Sequence, residues 1–113
     1  MLTAGMEKVL RLMRDEDEDL VTEGLECWVG LTRTSRTVVH SLLGLCLIKQ
    51  DEYTVSSFRR YVLSEDGTKI LADPVYIPRI LRTKEGRLGA TMWIRTHSVV
   101  NAIQALPWKP KRT

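Results

Sequence analysis

The sequence predicts a small α+β domain, because helical and strand-like patterns alternate along one short chain. In residues 6–13 the apolar side chains recur at positions i, i+3, i+4 and i+7, which is the spacing of one helix face. Residues 58–63 are instead rich in β-prone side chains. The chain has 113 residues, of which 43% are hydrophobic, so it can bury a core without disulfides or metal. No Gly/Ser-rich linker divides it, and we expect a single domain spanning residues 1–113.

Composition argues against a membrane protein. The longest apolar runs lie near residues 27–31 and 41–48, and both are far shorter than the roughly 20 residues that a membrane span needs. Residues 1–19 lack the order of basic start, apolar stretch and small-residue cleavage site that marks a signal peptide. We therefore expect a cytoplasmic protein without membrane contact. Cys27 and Cys46 have no CxxC spacing, and we expect both to be buried free thiols.

Charge is distributed unevenly along the chain. Residues 1–26 hold eight acidic and three basic side chains, whereas residues 27–113 hold six acidic and 14 basic ones. A basic surface can contact phosphates and release their counterions. Residues 15–19 are five consecutive acids, which we interpret as a solvated helix end or inter-helix loop that repels DNA on that side. They do not predict a metal site, because flexible consecutive carboxylates do not converge on one ion.

Three helices are predicted at the N-terminal end. The first contains the periodic run at residues 6–13. The second begins after Asp19, with Thr22 as an alternative N-cap, and ends at Gly30. The expected apolar face of this second helix consists of Leu20, Val21, Leu25, Trp28 and Val29. The third covers residues 35–45, where an apolar stripe lies opposite a polar side.

The segment Gly30-Leu31 and the following TSRTVVHSLLGLCLIK resemble the turn and recognition helix of winged helix-turn-helix proteins. In that family a small polar cluster precedes a Thr-Val pair, leucines follow at helical spacing, and a Leu-Ile pair opens the first wing strand. The matching positions are Thr37, Val38, Leu42, Leu43, Leu47 and Ile48. The resemblance covers residues 5–72. It departs from the family at Cys46, where glycine is common, and in a turn about two residues longer than the tightest form.

This resemblance implies a small transcriptional regulator that binds double-stranded DNA. The helix at residues 35–45 would enter the major groove with its polar N-terminal side. Arginine side chains would donate to guanine edges or phosphates, and hydroxyl and imidazole groups would make shorter contacts. The expected DNA-contacting residues in this region are Arg33, Thr34, Ser35, Arg36, Thr37 and His40. Thr34 or Ser35 also offers a cap for the helix.

A β-hairpin wing is expected after the recognition helix. Its first strand begins near Leu47, its tip is polar, and its returning strand covers residues 58–63. The returning strand carries two candidate DNA contacts, Arg59 and Arg60. Because adjacent strand residues face opposite sides of a sheet, only one of these two should reach DNA.

The segment after the wing has two interpretations. Residues 61–72 form either a second hairpin around Asp66-Gly67 or a short helix that follows a Leu-Ser strand end, as in winged-helix regulators. Pro74 limits such a helix to about two turns, so the sequence favours the hairpin.

The last part of the chain predicts an additional β-hairpin and a C-terminal helix. The β-prone runs at residues 75–83 and 90–95 flank a basic, glycine-containing loop at residues 84–89. The candidate DNA contacts in this region are Arg82, Lys84 and Arg87. The helix is expected over residues 98–106, and a basic tail follows at 107–113.

Sequence motifs of catalysis do not occur in the chain. It has no nucleophile elbow, no HExxH and no glycine-rich nucleotide fingerprint, so we expect no enzyme activity, cofactor or metal. Two alternatives to a DNA-binding regulator stay open: a winged-helix accessory module, of the phage type, that binds a protein partner, and an RNA-binding module. A homodimer is a further expectation, because terminal amphipathic helices often dimerise and a dimer reads two half-sites.

Overall fold

A computed structural model describes residues 2–51 and 58–98. The elements in chain order are α1 (Ala4–Asp15), β1 (Leu20–Glu23), β2 (Glu26–Val29), β3 (Thr32–Thr34), α2 (Arg36–Gly44), β4 (Ile48–Gln50), β5 (Phe58–Leu63), α3 (Glu65–Ala72), a 3-10 helix (Arg79–Arg82) and α4 (Lys84–Ser98). The predicted α+β class is confirmed. None of the described helices is long and apolar enough to cross a membrane. The expected wing tip, the predicted helix beyond Ser98 and the basic tail lie outside the described residues.

The five strands form one antiparallel sheet in the order β3-β2-β1-β5-β4. Side chains alternate between its two faces. Those buried on one face are Leu20, Cys27, Val29, Ile48 and Tyr61. Helices α1, α2 and α3 contact the sheet, and the core lies between them and this face. The hairpin of β4 and β5, expected as the wing strands, is confirmed by its pairing.

Strands β1 and β2 stand where the sequence predicted a second helix, and β3 stands in the turn expected after Gly30. Their connections are two-residue loops, Gly24-Leu25 and Gly30-Leu31. Both glycines have positive φ angles, 62° and 59°, which glycine adopts without steric cost at the first position of such hairpin loops. Leu25, predicted to face the core, is 72% exposed. The predicted arrangement of three N-terminal helices, with Gly30 as a helix stop, is therefore wrong.

Helix α1 forms where the periodicity predicted it. The N–H of Met6 donates to Oγ1 of the N-cap residue Thr3 over 3.1 Å, which satisfies one of the free amides at the helix start. The buried face carries Met6, Val9, Leu10 and Met13.

Helix α2 also forms as predicted, and both of its ends have defined caps. Ser35 Oγ accepts from the N–H of Val38 over 3.2 Å. At the other end Leu47 N–H donates to Leu42 O and Cys46 N–H donates to Leu43 O, which is a Schellman motif. Cys46 has φ 60° in this motif, at the position where glycine is favoured. Its side chain is exposed, so the expected burial is wrong for Cys46 and confirmed for Cys27.

Residues 65–72 form helix α3, so the favoured second hairpin around Asp66-Gly67 is wrong and the alternative short helix is correct. Ser64 caps the helix, because its Oγ accepts from the N–H of Gly67 over 3.1 Å. Glu65 and Asp66 lie in the first turn, where the positive end of the helix dipole favours acids.

The hairpin predicted for residues 75–95 is also wrong. Arg79–Arg82 is a 3-10 helix and the expected basic loop is the beginning of α4. Gly86 lies where α4 meets the 3-10 helix, and a Cβ at this position would overlap the carbonyl oxygen of Ile80. Tertiary packing therefore overrides the β propensity of these residues.

Candidate nucleic-acid interface

The first turn of α2 presents polar side chains to solvent. Ser35, Arg36 and Thr37 are all exposed, and β3 ends directly before them at Thr34, which is half-buried. The Ser35 hydroxyl is engaged in capping. Arg36 and Thr37 make no side-chain hydrogen bond or ion pair with the described residues. Their donors can therefore engage a ligand without first losing a partner in this part of the chain.

Arg36, His40 and Arg59 line one pocket of about 170 Å³. It lies between α2 and the end of the sheet at which β1 turns into β2. We call it the arginine pocket and define it by Thr22, Cys27, Arg36, His40, Arg59 and Tyr61. Two DNA contacts predicted on the helix and one predicted on the wing strand are thus brought together. No acidic side chain among the described residues lines this pocket.

The thiol at the inner wall of the arginine pocket is held in its neutral form. Burial raises the pKa of Cys27, and the nearby positive charge of Arg36 lowers it by a smaller amount. The net direction is upward, so this thiol adds no negative charge to the pocket at neutral pH. Arg36 and Arg59 therefore give the pocket a positive electrostatic potential.

The two arginines of β5 have different surroundings. Arg59 shares the arginine pocket with Tyr61, which is two residues further along the strand and buried on the helix side. Arg60 lies on the opposite face, where its Nε is 3.8 Å from Asp19 Oδ2 and its guanidinium is 5.8 Å from the centre of the Phe58 ring. Strand alternation therefore separates them, as the sequence predicted.

Arg33 is also turned away from the arginine pocket. It pairs with Trp28 across β2 and β3, on the sheet face opposite buried Cys27. Its Nη2 lies 2.8 Å from Glu26 Oε2. This candidate contact is thus on another surface and is already in an ion pair.

The remaining candidates, Arg82, Lys84 and Arg87, lie around the N-terminal end of α4. Arg82 Nε donates to the carbonyl oxygen of Ile77 over 3.0 Å. Its guanidinium lies 5.1 Å from the centre of the Tyr76 ring. Arg87 Nη1 donates to Leu81 O over 3.2 Å, and Lys84 is exposed. These arginines therefore stabilise the 3-10 helix and its junction with α4, and none of the three lines the arginine pocket.

Helix α4 covers the C-terminal half of α2, which the sequence did not predict. Trp93 Nε1 donates to the carbonyl oxygen of His40 over 2.9 Å. A Cβ on Gly44 would overlap the side chains of Trp93 and Ile94. The glycine inside the leucine-rich helix was the available signal for this close approach. Among the described residues, this packing leaves the first turn of α2 open to a partner.

The described part of the chain contains no cluster of metal-ligating side chains. Within residues 2–51 and 58–98, no group of three or more His, Cys, Asp or Glu side chains is arranged to hold an ion.

Comparison of the chain with known protein families, with curated proteins and with solved structures finds no match in any of the three.

Proposed function

We propose that this protein binds duplex DNA through the first turn of α2 and the neighbouring strand β5. The observation that carries the proposal is the arginine pocket, which Arg36 and Arg59 both line and which no acidic side chain of the described residues lines. Guanidinium groups present several donors in a planar fork that matches phosphate oxygens. Phosphate contacts of this kind position a protein on the duplex.

The order of the elements supports a winged-helix type of architecture. Helix α2 is followed by the β4–β5 hairpin and then by α3, which is the order of recognition helix, wing and next helix that the resemblance implies. The variation from that family is the β2–β3 hairpin, which stands directly before α2 in place of a helix. We propose that the protein uses this variant of the winged-helix fold to bind duplex DNA.

Because α4 packs on the C-terminal half of α2, the surface of α2 that can contact base edges is limited to its start. Recognition helices contact base edges mainly with their N-terminal residues, so the open first turn is sufficient for this role. Thr37 is exposed and does not line the arginine pocket. Its hydroxyl and methyl groups can both contact base edges. We therefore propose phosphate contact for Arg36 and Arg59 and base contact for Thr37.

Substitution of Arg59 and Thr37 tests this division of roles. Arg59→Gln is expected to weaken binding evenly across duplex sequences and to reduce the salt slope by about one unit. Thr37→Val keeps the shape but removes the hydroxyl, so it should change the preferred sequence and leave the salt slope unaltered. Selection from a random duplex library and salt titrations by fluorescence anisotropy measure the two effects.

The control for this experiment is Arg60→Gln, which removes the same charge from the opposite face of the same strand. It should bind duplex like the unmodified protein. Equal losses for Arg59→Gln and Arg60→Gln would contradict the proposed interface, and so would an unchanged binding profile for both Arg59→Gln and Thr37→Val.

One observation favours a protein-binding function as the second candidate. Leu88 and Met92 are one turn apart on α4 and are 59% and 49% exposed. Apolar side chains at this spacing form a stripe that suits a partner helix. Binding through such a stripe should respond little to salt, whereas binding to phosphates should fall steeply.

A further inference from the structure

We propose that the arginine pocket encloses one phosphate oxyanion and accepts it as a free ligand, either inorganic phosphate or a phosphomonoester. The proposal deepens the proposed function, because the same arginines would hold a phosphate of the duplex. A free phosphate group would then compete with DNA for one site.

The size of the arginine pocket favours a single oxyanion. Its volume is about 170 Å³, and each water occupies roughly 30 Å³ of liquid. A phosphate ion with one or two bridging waters fills such a space. Pockets for whole cofactors and drug-sized ligands begin at roughly 300 Å³, so a complete nucleotide would extend out of it.

The donors of the arginine pocket come from elements that hold them in place independently. Arg36 is the first residue of α2, whose start is fixed by the Ser35 cap. Arg59 lies on β5, which is paired with β1 at Thr22. Because the backbones are anchored before a ligand arrives, less ordering is needed on binding than for two charges on a flexible loop.

The charge of the arginine pocket selects for an anion rich in acceptors. Two arginines line it, and no acidic side chain of the described residues does. Thr22 adds a hydroxyl donor, and the start of α2 adds the positive end of its dipole. Phosphate offers three or four acceptor oxygens to these donors, so it satisfies more of them than chloride does.

Amide chemical shifts provide the test. Inorganic phosphate is titrated into the ¹⁵N-labelled full chain against sodium chloride at equal ionic strength. We expect saturable shifts at the amides of Thr22, Cys27 and His40 with phosphate and not with chloride. Arg59→Gln should weaken this binding by about tenfold, the effect of losing one charge-assisted contact, while Arg60→Gln should leave it unchanged.

A second arm repeats the titration with a duplex and then adds phosphate to the complex. If the duplex shifts the same amides and Arg59→Gln abolishes these shifts, a phosphodiester of the duplex occupies the pocket. If added phosphate then reverses the shifts, phosphate and duplex compete for the pocket. Phosphate binding without duplex binding would support the pocket and overturn the DNA-binding proposal. If neither ligand moves these amides, or if Arg59→Gln leaves the shifts unaltered, the phosphate pocket is overturned, even where the duplex binds elsewhere.

Discussion

The side chains of the arginine pocket show what residue types can predict and what they cannot. Arg36, His40 and Arg59 were candidates because a polar helix start and a basic strand suit phosphate contact. Alternation along β5 also predicted that Arg59 and Arg60 separate. The sequence could not tell which of them faces α2, because that depends on the pairing of β5 with β1, a strand that was expected to be a helix.

Asp66 is the charged residue that is most buried in the described part of the chain, with 3% exposure. Tyr76 Oη donates to its Oδ1 over 2.5 Å, and the backbone N–H of Arg79 donates to its Oδ2 over 3.2 Å. Burial alone raises the pKa of Asp66. The hydrogen bonds and the positive charge of Arg79 together lower it by a larger amount, so the pKa lies below its ordinary value. Through these contacts Asp66 holds Tyr76 and Arg79, which follow α3 in the chain, against α3.

Asp66→Asn is expected to lower the free energy of unfolding by about 1–3 kcal/mol at neutral pH, since it weakens hydrogen bonds at a buried acceptor. A carboxyl whose pKa is lowered by folding stabilises the native state above its unfolded pKa of 3.8. That contribution is lost as the pH falls through the lower pKa of the folded state. Urea unfolding of both proteins over a pH series measures the difference, which should shrink below about pH 4.

The control is Glu65→Gln, an exposed acid one residue away whose ion pairs with Lys69 and Arg79 are both solvated. It should change stability much less than Asp66→Asn does, because solvent screens exposed ion pairs. An Asp66→Asn protein as stable as the original at neutral pH would contradict the role given to this carboxylate.

Among the elements, those with strong internal periodicity were predicted and those decided by tertiary contacts were not. α1 and α2 each bury one continuous face, and β4 pairs with β5 as the predicted hairpin. In residues 20–29 the apolar residues also fit a helical period, and the two Gly-Leu loops are the signal that indicates hairpins instead. In α4, β-prone side chains adopt a helix because Ala90 and Ile94, one turn apart, pack into the core.

Two glycines of α4 provide a matched test of this helix. Gly86→Ala places a Cβ against the Ile80 carbonyl, so the helix must shift, at a cost of about 1–3 kcal/mol. Gly89→Ala, three residues along, meets no atom within 4 Å and should stabilise the protein by about 0.5–1 kcal/mol. Thermal unfolding of the two variants measures whether each substitution lowers or raises the stability. A loop at residues 84–89, as the sequence had suggested, would instead tolerate both changes about equally.

Across the whole molecule, the acidic and basic regions lie at opposite ends of the central strand. The exposed acids at residues 15–18 precede β1, while the arginine pocket lies where β1 ends. A four-residue strand spans roughly 10–13 Å, so the acids lie about a Debye length from the pocket at physiological salt. If the protein binds a polyanion as proposed, this polarity would orient it towards the arginines and away from the α1 end.

The most direct test of duplex binding is fluorescence anisotropy with a random duplex of about 30 base pairs, at about 50 and 200 mM salt. The account predicts micromolar binding at the lower salt. Each neutralised phosphate contributes a slope of about −0.9 in log–log form, so two arginine contacts predict a loss of about tenfold between the two conditions. Absence of binding at low salt, or binding that does not change with salt, would contradict the account.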